Sequence, residues 1–227
     1  MKRESNIHST TAPLTEAGMT TPEPTVFVVD DDEAICNALQ WLIESVNLKV
    51  ETYTSGHEFL ETYEPGRPGC VVLDVRMPEM SGLDVQRELE ARSIDLPVII
   101  LTGYGDMQTA IRAFKSGAVD FVQKPFNNQN LLDAIQRAVR KNVEVAEQNV
   151  FIAEVRQRLD LLSTGESEVL EMILAGNTNS KIAEHLGISK KTVEARRAKL
   201  MKKMNAASVV DLTRMVVVLE PWPDEAT

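Results

Sequence analysis

Between Thr25 and Val139 the chain alternates five short apolar segments with amphipathic ones, and four of the five stop on a charged or hydroxyl side chain. The apolar segments are Val26–Val29, Val50–Tyr53, Val71–Leu73, Pro97–Leu101 and Val119–Val122. Between them, Ile35, Leu39, Leu42, Ile43 and Val46 recur at three- and four-residue steps, the period of a helix with one buried face. Ser55 is placed to cap a helix carrying Phe59 and Leu60, and further helices are expected over about 83–92 and 107–116, the latter closed by Gly117. Helical character resumes at Asn128 through Leu131, Ile135 and Val139. Near-continuous apolar strands alternating with amphipathic helices predict an α/β doubly wound fold, a parallel sheet covered on both faces.

In such a fold every strand ends at the same edge, so Asp30, Asp31, Asp74, Thr102 and Lys124 converge there. Each has an ordinary reading alone: a turn former or helix cap for Asp74, a strand-end cap for Thr102, a solvated lysine for Lys124. Four strand ends carrying such groups together favour a site. Three carboxylates at one edge suit a hard cation, Mg²⁺ or Mn²⁺, which takes oxygen ligands and keeps several waters. Asp74 would then be both ligand and nucleophile toward phosphorus, giving an acyl phosphate. The Lys124 ammonium and the Thr102 hydroxyl would meet the phosphoryl oxygens.

The second half differs. From Thr25 to Pro125 there are 17 acidic and 8 basic residues, whereas Ser189–Met204 holds seven basic residues against the single Glu194. That asymmetry suggests two modules with different partners. The segment 141–160 is polar, free of glycine and roughly helical in its apolar spacing, and reads as a linker helix. Four short helices follow: 165–175 closed by Gly176, 179–186 closed by Gly187, one capped by Ser189 and running to about Met204, and one capped by Ser208. The glycine turn between the second and third is a helix-turn-helix pattern, which would present the basic helix to a DNA major groove. Lys190, Lys191, Arg197 and Lys199 would meet mainly phosphates, Glu194 a cytosine amino group, and Ala195 and Ala198 thymine methyls.

These residues resemble two known families. Val29-Asp30-Asp31, Leu73-Asp74-Val75-Arg76-Met77-Pro78, Thr102-Gly103 and Lys124-Pro125 resemble the receiver domain of two-component response regulators, over about Thr25–Asn142. The resemblance implies sheet order 2-1-3-4-5, phosphorylation of Asp74 by a histidine kinase, and a cis bond before Pro125. It also implies the Arg76 carbonyl as a metal ligand, and Phe121 as a switch aromatic that turns inward when Thr102 moves. Leu162-Ser163, Glu166, Gly176, Asn179, Ile182-Ala183, Ile188-Ser189, Thr192-Val193 and Lys203-Met204 resemble the four-helix output domain of the LuxR/NarL/FixJ regulators, and Thr192 joins the DNA-facing set on that ground. Two positions depart from that pattern: Gly165 stands where Arg is usual, which loosens a local ion pair, and Arg196 stands where His is usual, which adds charge near the DNA.

The expected organisation is a disordered tail at 1–24, a receiver at 25–142, a helical linker at 143–158, a helix-turn-helix domain at 159–220 and a tail at 221–227. Met19 is a candidate alternative start, and no secretory signal or membrane span is expected, which suits the cytoplasm. The implied partners are a sensor histidine kinase, an operator duplex, RNA polymerase and a second copy of the chain on phosphorylation. Arg76 and Tyr104 would border the phosphoryl group and set its lifetime. A phosphatase of the haloacid-dehalogenase type is disfavoured because Arg76 occupies the position where such enzymes need a second Asp.

Overall fold

A computed structural model describes residues 22–103 and 116–219. Among these residues, β1 (Thr25–Val29), β2 (Lys49–Tyr53), β3 (Gly69–Asp74), β4 (Val98–Thr102) and β5 (Asp120–Gln123) form one parallel sheet in the order β2-β1-β3-β4-β5. Three helices accompany the first strands: α1 (Glu33–Glu44), α2 (Gly56–Thr62) and α3 (Gly82–Ala91). The expected helix at 107–116 falls outside the described residues except for Ser116. Gly117 follows it at φ +84°, a left-handed position that favours glycine.

The two-residue period of the strands divides their side chains between two cores. Phe27, Val29, Val71, Leu73 and Ile100 face α2 and α3, where they meet Phe59, Leu60, Val85 and Leu89. Val26, Val28, Cys70, Val72, Ile99 and Leu101 face α1, where Cys36, Leu39 and Ile43 cover them. The central strands β1 and β3 are buried along their whole length, while the edge strands β2 and β5 are only partly so. Because the chain winds outward in both directions from β1 and β3, their carboxyl ends flank the crevice of this sheet.

The second core is completed by α4 (Asn128–Asp160), a 33-residue helix of roughly 50 Å at 1.5 Å per residue. Leu131, Leu132, Ile135, Ala138 and Val139 pack under the sheet. One turn on, the buried Asn142 amide ties the helix to the opposite edge of the sheet. Its Oδ1 accepts from the Gly69 N–H at 2.8 Å and its Nδ2 donates to the Asp95 carbonyl at 2.9 Å. Gly69 is forced there, since a Cβ would lie 1.8 Å from the Thr25 carbonyl oxygen.

The far end of α4 enters a third core. Phe151, Val155 and Leu159 pack with Val169, Ile173, Ile182, Leu200 and Leu212 of α5 (Thr164–Leu174), α6 (Asn179–Leu186), α7 (Lys190–Met204) and α8 (Val209–Val217). Each of these helices starts at a hydroxyl residue: Ser163, Thr178, Ser189 and Ser208. The α6–α7 turn is made by Gly187 at φ +64°. Among the described residues no helix is long and apolar enough to cross a membrane.

Candidate functional site

At the carboxyl edge of the sheet Asp30 and Asp74 are buried side by side, joined through one ammonium group. Lys124 Nζ donates to Asp30 Oδ2 at 2.7 Å and to Asp74 Oδ1 at 2.6 Å. The remaining oxygens are also held: the Asp32 N–H reaches Asp30 Oδ1 at 3.1 Å, and the Arg76 N–H reaches Asp74 Oδ2 at 2.6 Å. The turn after Asp74 is fixed by Val75 N–H to the Leu101 carbonyl at 3.0 Å and Gly82 N–H to the Val75 carbonyl at 3.1 Å. No side chain fits at position 82, where a Cβ would lie 2.2 Å from the Asp74 carbonyl oxygen.

Burial pushes the Asp30 carboxyl above its ordinary range, against the hydrogen bonds from Lys124 and Asp32; the nearby Asp74 charge adds to the upward push. For Lys124, burial pulls downward, but its bonds to the two carboxylates outweigh it and its pKa is raised. Both facts describe a crowded pair of anions sharing one cation. Thr102, at the end of β4, is 3 % exposed, and its Oγ1 has no hydrogen-bond partner among the described residues. Backbone atoms tie Thr102 to Lys124, whose N–H donates to the Thr102 carbonyl at 2.7 Å. Phe121, on β5, is half-buried against the first core, and the Lys124–Pro125 bond is cis.

In the helical half, α7 exposes Lys190, Lys191, Thr192, Glu194, Ala195, Ala198 and Lys199. Arg197 and Lys203 turn toward the rest of the bundle. Arg197 Nη1 donates to Asn179 Oδ1 at 2.9 Å, and Lys203 Nζ donates to Glu166 Oε2 at 2.6 Å and the Leu161 carbonyl at 2.9 Å.

The description "Response regulator receiver domain" matches residues 26–136, and "Bacterial regulatory proteins, luxR family" matches residues 160–216. The chain is 44% identical to the transcriptional regulatory protein TdiR of Thauera aromatica over 196 residues, 85% of each chain. It is 42% identical to the transcriptional regulatory protein FixJ of Azorhizobium caulinodans, over 89% of this chain and 96% of that one. The chain belongs to the two-component response regulators with a LuxR-type output domain. Among solved structures, the response regulator StyR superposes with a TM-score of 0.78 at 39% identity, covering 86% of this chain and 98% of that one. Full-length FixJ from B. japonicum gives 0.53 at 34% identity, over 88% and 98%.

Set against the sequence reading, this response regulator gathers Asp30, Asp74, Thr102 and Lys124 at one edge, with Arg76 on the adjoining turn. Asp31 is exposed, and the α1 cap is Asp32, which accepts from the Ala34 N–H at 2.8 Å. Among the described residues no three His, Cys, Asp or Glu side chains cluster as a ready ligand set. The Lys124 ammonium lies between the two buried carboxylates instead. Tyr104 lies outside the described residues.

The two departures in the output half come together. The Arg196 guanidinium, expected to add charge near the DNA, folds back instead over Gly165, with Nη1 at 3.4 Å from the Gly165 carbonyl and 3.5 Å from Glu168 Oε2. Glu166, next to Gly165, is paired with Lys203 at 2.6 Å. Sequence reasoning also passed over Asn142; a buried amide in a helix has no local signal, although Asn amid apolar steps invites the question.

Proposed function

We propose that Asp74 accepts a phosphoryl group from the phosphohistidine of a partner sensor kinase, and that this controls DNA binding by the α7 helix. The observation that carries the reading is Asp74 itself: a buried carboxylate at a strand end, held by a lysine ammonium and a backbone N–H, beside a Thr102 hydroxyl that has no hydrogen-bond partner among the described residues.

The donor set suits Mg²⁺ or Mn²⁺. Asp30, Asp31 and Asp74 supply carboxylate oxygens and Arg76 a backbone carbonyl, all hard ligands of the kind such ions take. A bound ion would neutralise charge on the incoming phosphoryl group. An Asp74 oxygen attacks phosphorus, the bond from phosphorus to the imidazole nitrogen breaks, and the imidazole leaves with that electron pair and takes up a proton. The Lys124 ammonium, released from Asp74 Oδ1, pairs with a phosphoryl oxygen. Thr102 Oγ1, without a partner among the described residues, donates to another, and Phe121 turns inward as it moves. Arg76 and Tyr104 border the phosphoryl group and set how fast water removes it. The chain so acts as a phospho-acceptor, with at most its own phosphotransfer and dephosphorylation as chemistry.

The altered surface near Thr102 and Phe121 favours dimerisation, and paired output domains read two half-sites of an operator duplex. Lys190, Lys191, Thr192 and Lys199 contact phosphates, Glu194 and Ala195 read base edges, and RNA polymerase is the downstream partner, all in the cytoplasm, while Arg197, expected from the sequence to join them, is held by Asn179. A receiver at 25–142, a linker at 143–158 and an output domain at 159–220 fit this division of labour, with α4 spanning all three.

The test is incubation with Mg²⁺ and acetyl phosphate, followed by intact mass and sizing. One added phosphate, absent from Asp74→Asn, with a shift from monomer to dimer, is the expected result. No adduct with a competent donor would overturn the receiver half of the reading and leave the DNA-binding half standing.

A further inference from the structure

We propose that Arg196 is a positioning residue that sets the angle of α7 against α5, and not a DNA contact. This rests on the reading of α7 as the helix that enters the groove.

The apolar hold on α7 is thin. Of its 15 residues only Val193, Leu200 and Met204 are buried, and three side chains on one stripe fix a helix's distance more firmly than its rotation or tilt. Polar ties supply the rest. Arg197 reaches α6 through Asn179, and Lys203 reaches the start of α5 through Glu166 and the Leu161 carbonyl. Arg196 makes the third tie, to the Gly165 carbonyl and Glu168 of α5. Lys191, Ala195 and Lys199 are exposed, whereas Arg196 is only partly so.

The seat under Arg196 exists because position 165 is glycine. A Cβ there would lie 2.5 Å from the guanidinium carbon and 2.6 Å from Nη1, so the flexible Arg196 side chain would have to shift out of this position. Backbone conformation does not require this glycine, which lies in the first turn of α5 outside the left-handed region. Its small size is what the guanidinium uses. A planar guanidinium over a peptide, with one carbonyl and one carboxylate to donate to, is oriented as a lysine ammonium would not be.

The first test needs no DNA. Thermal unfolding of Arg196→Ala, Gly165→Ala and the double variant forms a cycle in which contacting side chains are expected to couple. Arg196→Ala should lower the midpoint in the wild-type background and lower it less beside Gly165→Ala, where the guanidinium is already displaced from the Gly165 carbonyl. Equal shifts in both backgrounds would overturn the proposal.

The second test uses the full chain and a random-sequence 30-base-pair duplex over a range of salt, then selection from a randomised duplex pool. Arg196→Ala should leave the slope of log affinity against log salt unchanged, while Lys191→Ala lowers it by about 0.9, the value of one phosphate contact. The preference of Arg196→Ala for the selected site over random duplex should fall about fivefold across all positions, and Arg196→Lys should restore only part of it. A slope reduced by about 0.9 in Arg196→Ala would make it a phosphate contact. Preference lost at a single base pair would make it a base contact, and unchanged selection would leave it without a positioning role; each of these overturns the proposal. Failure of the wild-type chain to bind any duplex would instead overturn the DNA-binding reading on which the proposal rests.

Discussion

Lys124 and Lys203 each donate to a carboxylate at 2.6 Å, one in each half of the molecule, and the two pairs have opposite character. Lys203 meets a single acid. Glu166 Oε2 also accepts the Ser163 N–H at 2.8 Å, and the Leu161 carbonyl takes another of the lysine's protons. The hydrogen bond from Lys203 leads the causes that hold the Glu166 carboxyl down to about 2. Lys124, by contrast, is divided between two buried acids, and the Asp30 carboxyl is pushed up rather than down. The first arrangement is complete and would lose by any change. The second has one cation too few, and an added phosphoryl group and metal ion would redistribute its charge. A structural lock and a receptive site are thus built from the same two kinds of group, a carboxylate and an ammonium, distinguished by burial first and by the count of partners second.

The largest effect is expected from removing the acceptor. Asp74→Asn should abolish the phosphate adduct with acetyl phosphate entirely, read by intact mass, while the far-ultraviolet spectrum stays that of the wild type. An adduct of undiminished yield in that variant would move the chemistry elsewhere and dissolve the contrast between the two pairs.

Lys124→Ala tests the shared cation more directly. It leaves Asp30 and Asp74 facing each other with no ammonium between them, and uncompensated buried charge costs about 2 kcal/mol or more in unfolding free energy. Urea denaturation should show that loss at neutral pH and should show much of it recovered in Lys124→Ala combined with Asp30→Asn. If the second substitution rescues nothing, the two acids do not compete for the lysine.

How far these pairs were legible in the sequence follows from where each partner sits. Asp30, Asp74, Thr102 and Lys124 announced themselves because strand-end positions on a parallel sheet fall at one edge whatever the loop lengths between them. The same rule does not say which acid an ammonium will choose at rest, so the Lys124 bridge was expected to await a phosphoryl oxygen. Ser189 and Ser208, the caps of α7 and α8, were readable because a cap is local. The Glu166–Lys203 and Gly165–Arg196 contacts were not, since they join residues 37 and 31 apart whose meeting depends on how two helices cross. For that reason Gly165 and Arg196 looked like separate departures and Arg196 like charge near the DNA.

A smaller effect with a definite sign comes from the Glu166 lock. Its folded pKa of about 2 lies below the roughly 4.3 of a free glutamate. The stability it contributes is therefore fully present above about pH 4.3 and is lost as pH falls toward about 2. Glu166→Gln should lower the thermal midpoint of the helical half by a constant amount near neutrality. The gap from wild type should close progressively between those two values in acid. A gap that stayed constant as pH fell toward about 2 would show that the stabilisation does not come from ionisation of the carboxylate.

The smallest expected change separates stability from signalling at a single atom. Thr102 Oγ1 is buried without a partner among the described residues, so it carries a desolvation cost that no hydrogen bond offsets in the resting state. Val has the same shape without the hydroxyl. Thr102→Val should be as stable as the wild type or more stable by up to about 1 kcal/mol, where most buried substitutions destabilise. The adduct on Asp74 should still form, because Thr102 makes no bond to the attacking carboxylate among the described contacts, yet the sizing shift that accompanies it should be weakened or lost. A buried hydroxyl with no partner among the described residues is what a group reserved for the phosphorylated state would look like. A clear loss of stability in Thr102→Val, with dimerisation intact, would instead make that hydroxyl part of the resting structure and place Thr102 with Glu166 among the locks.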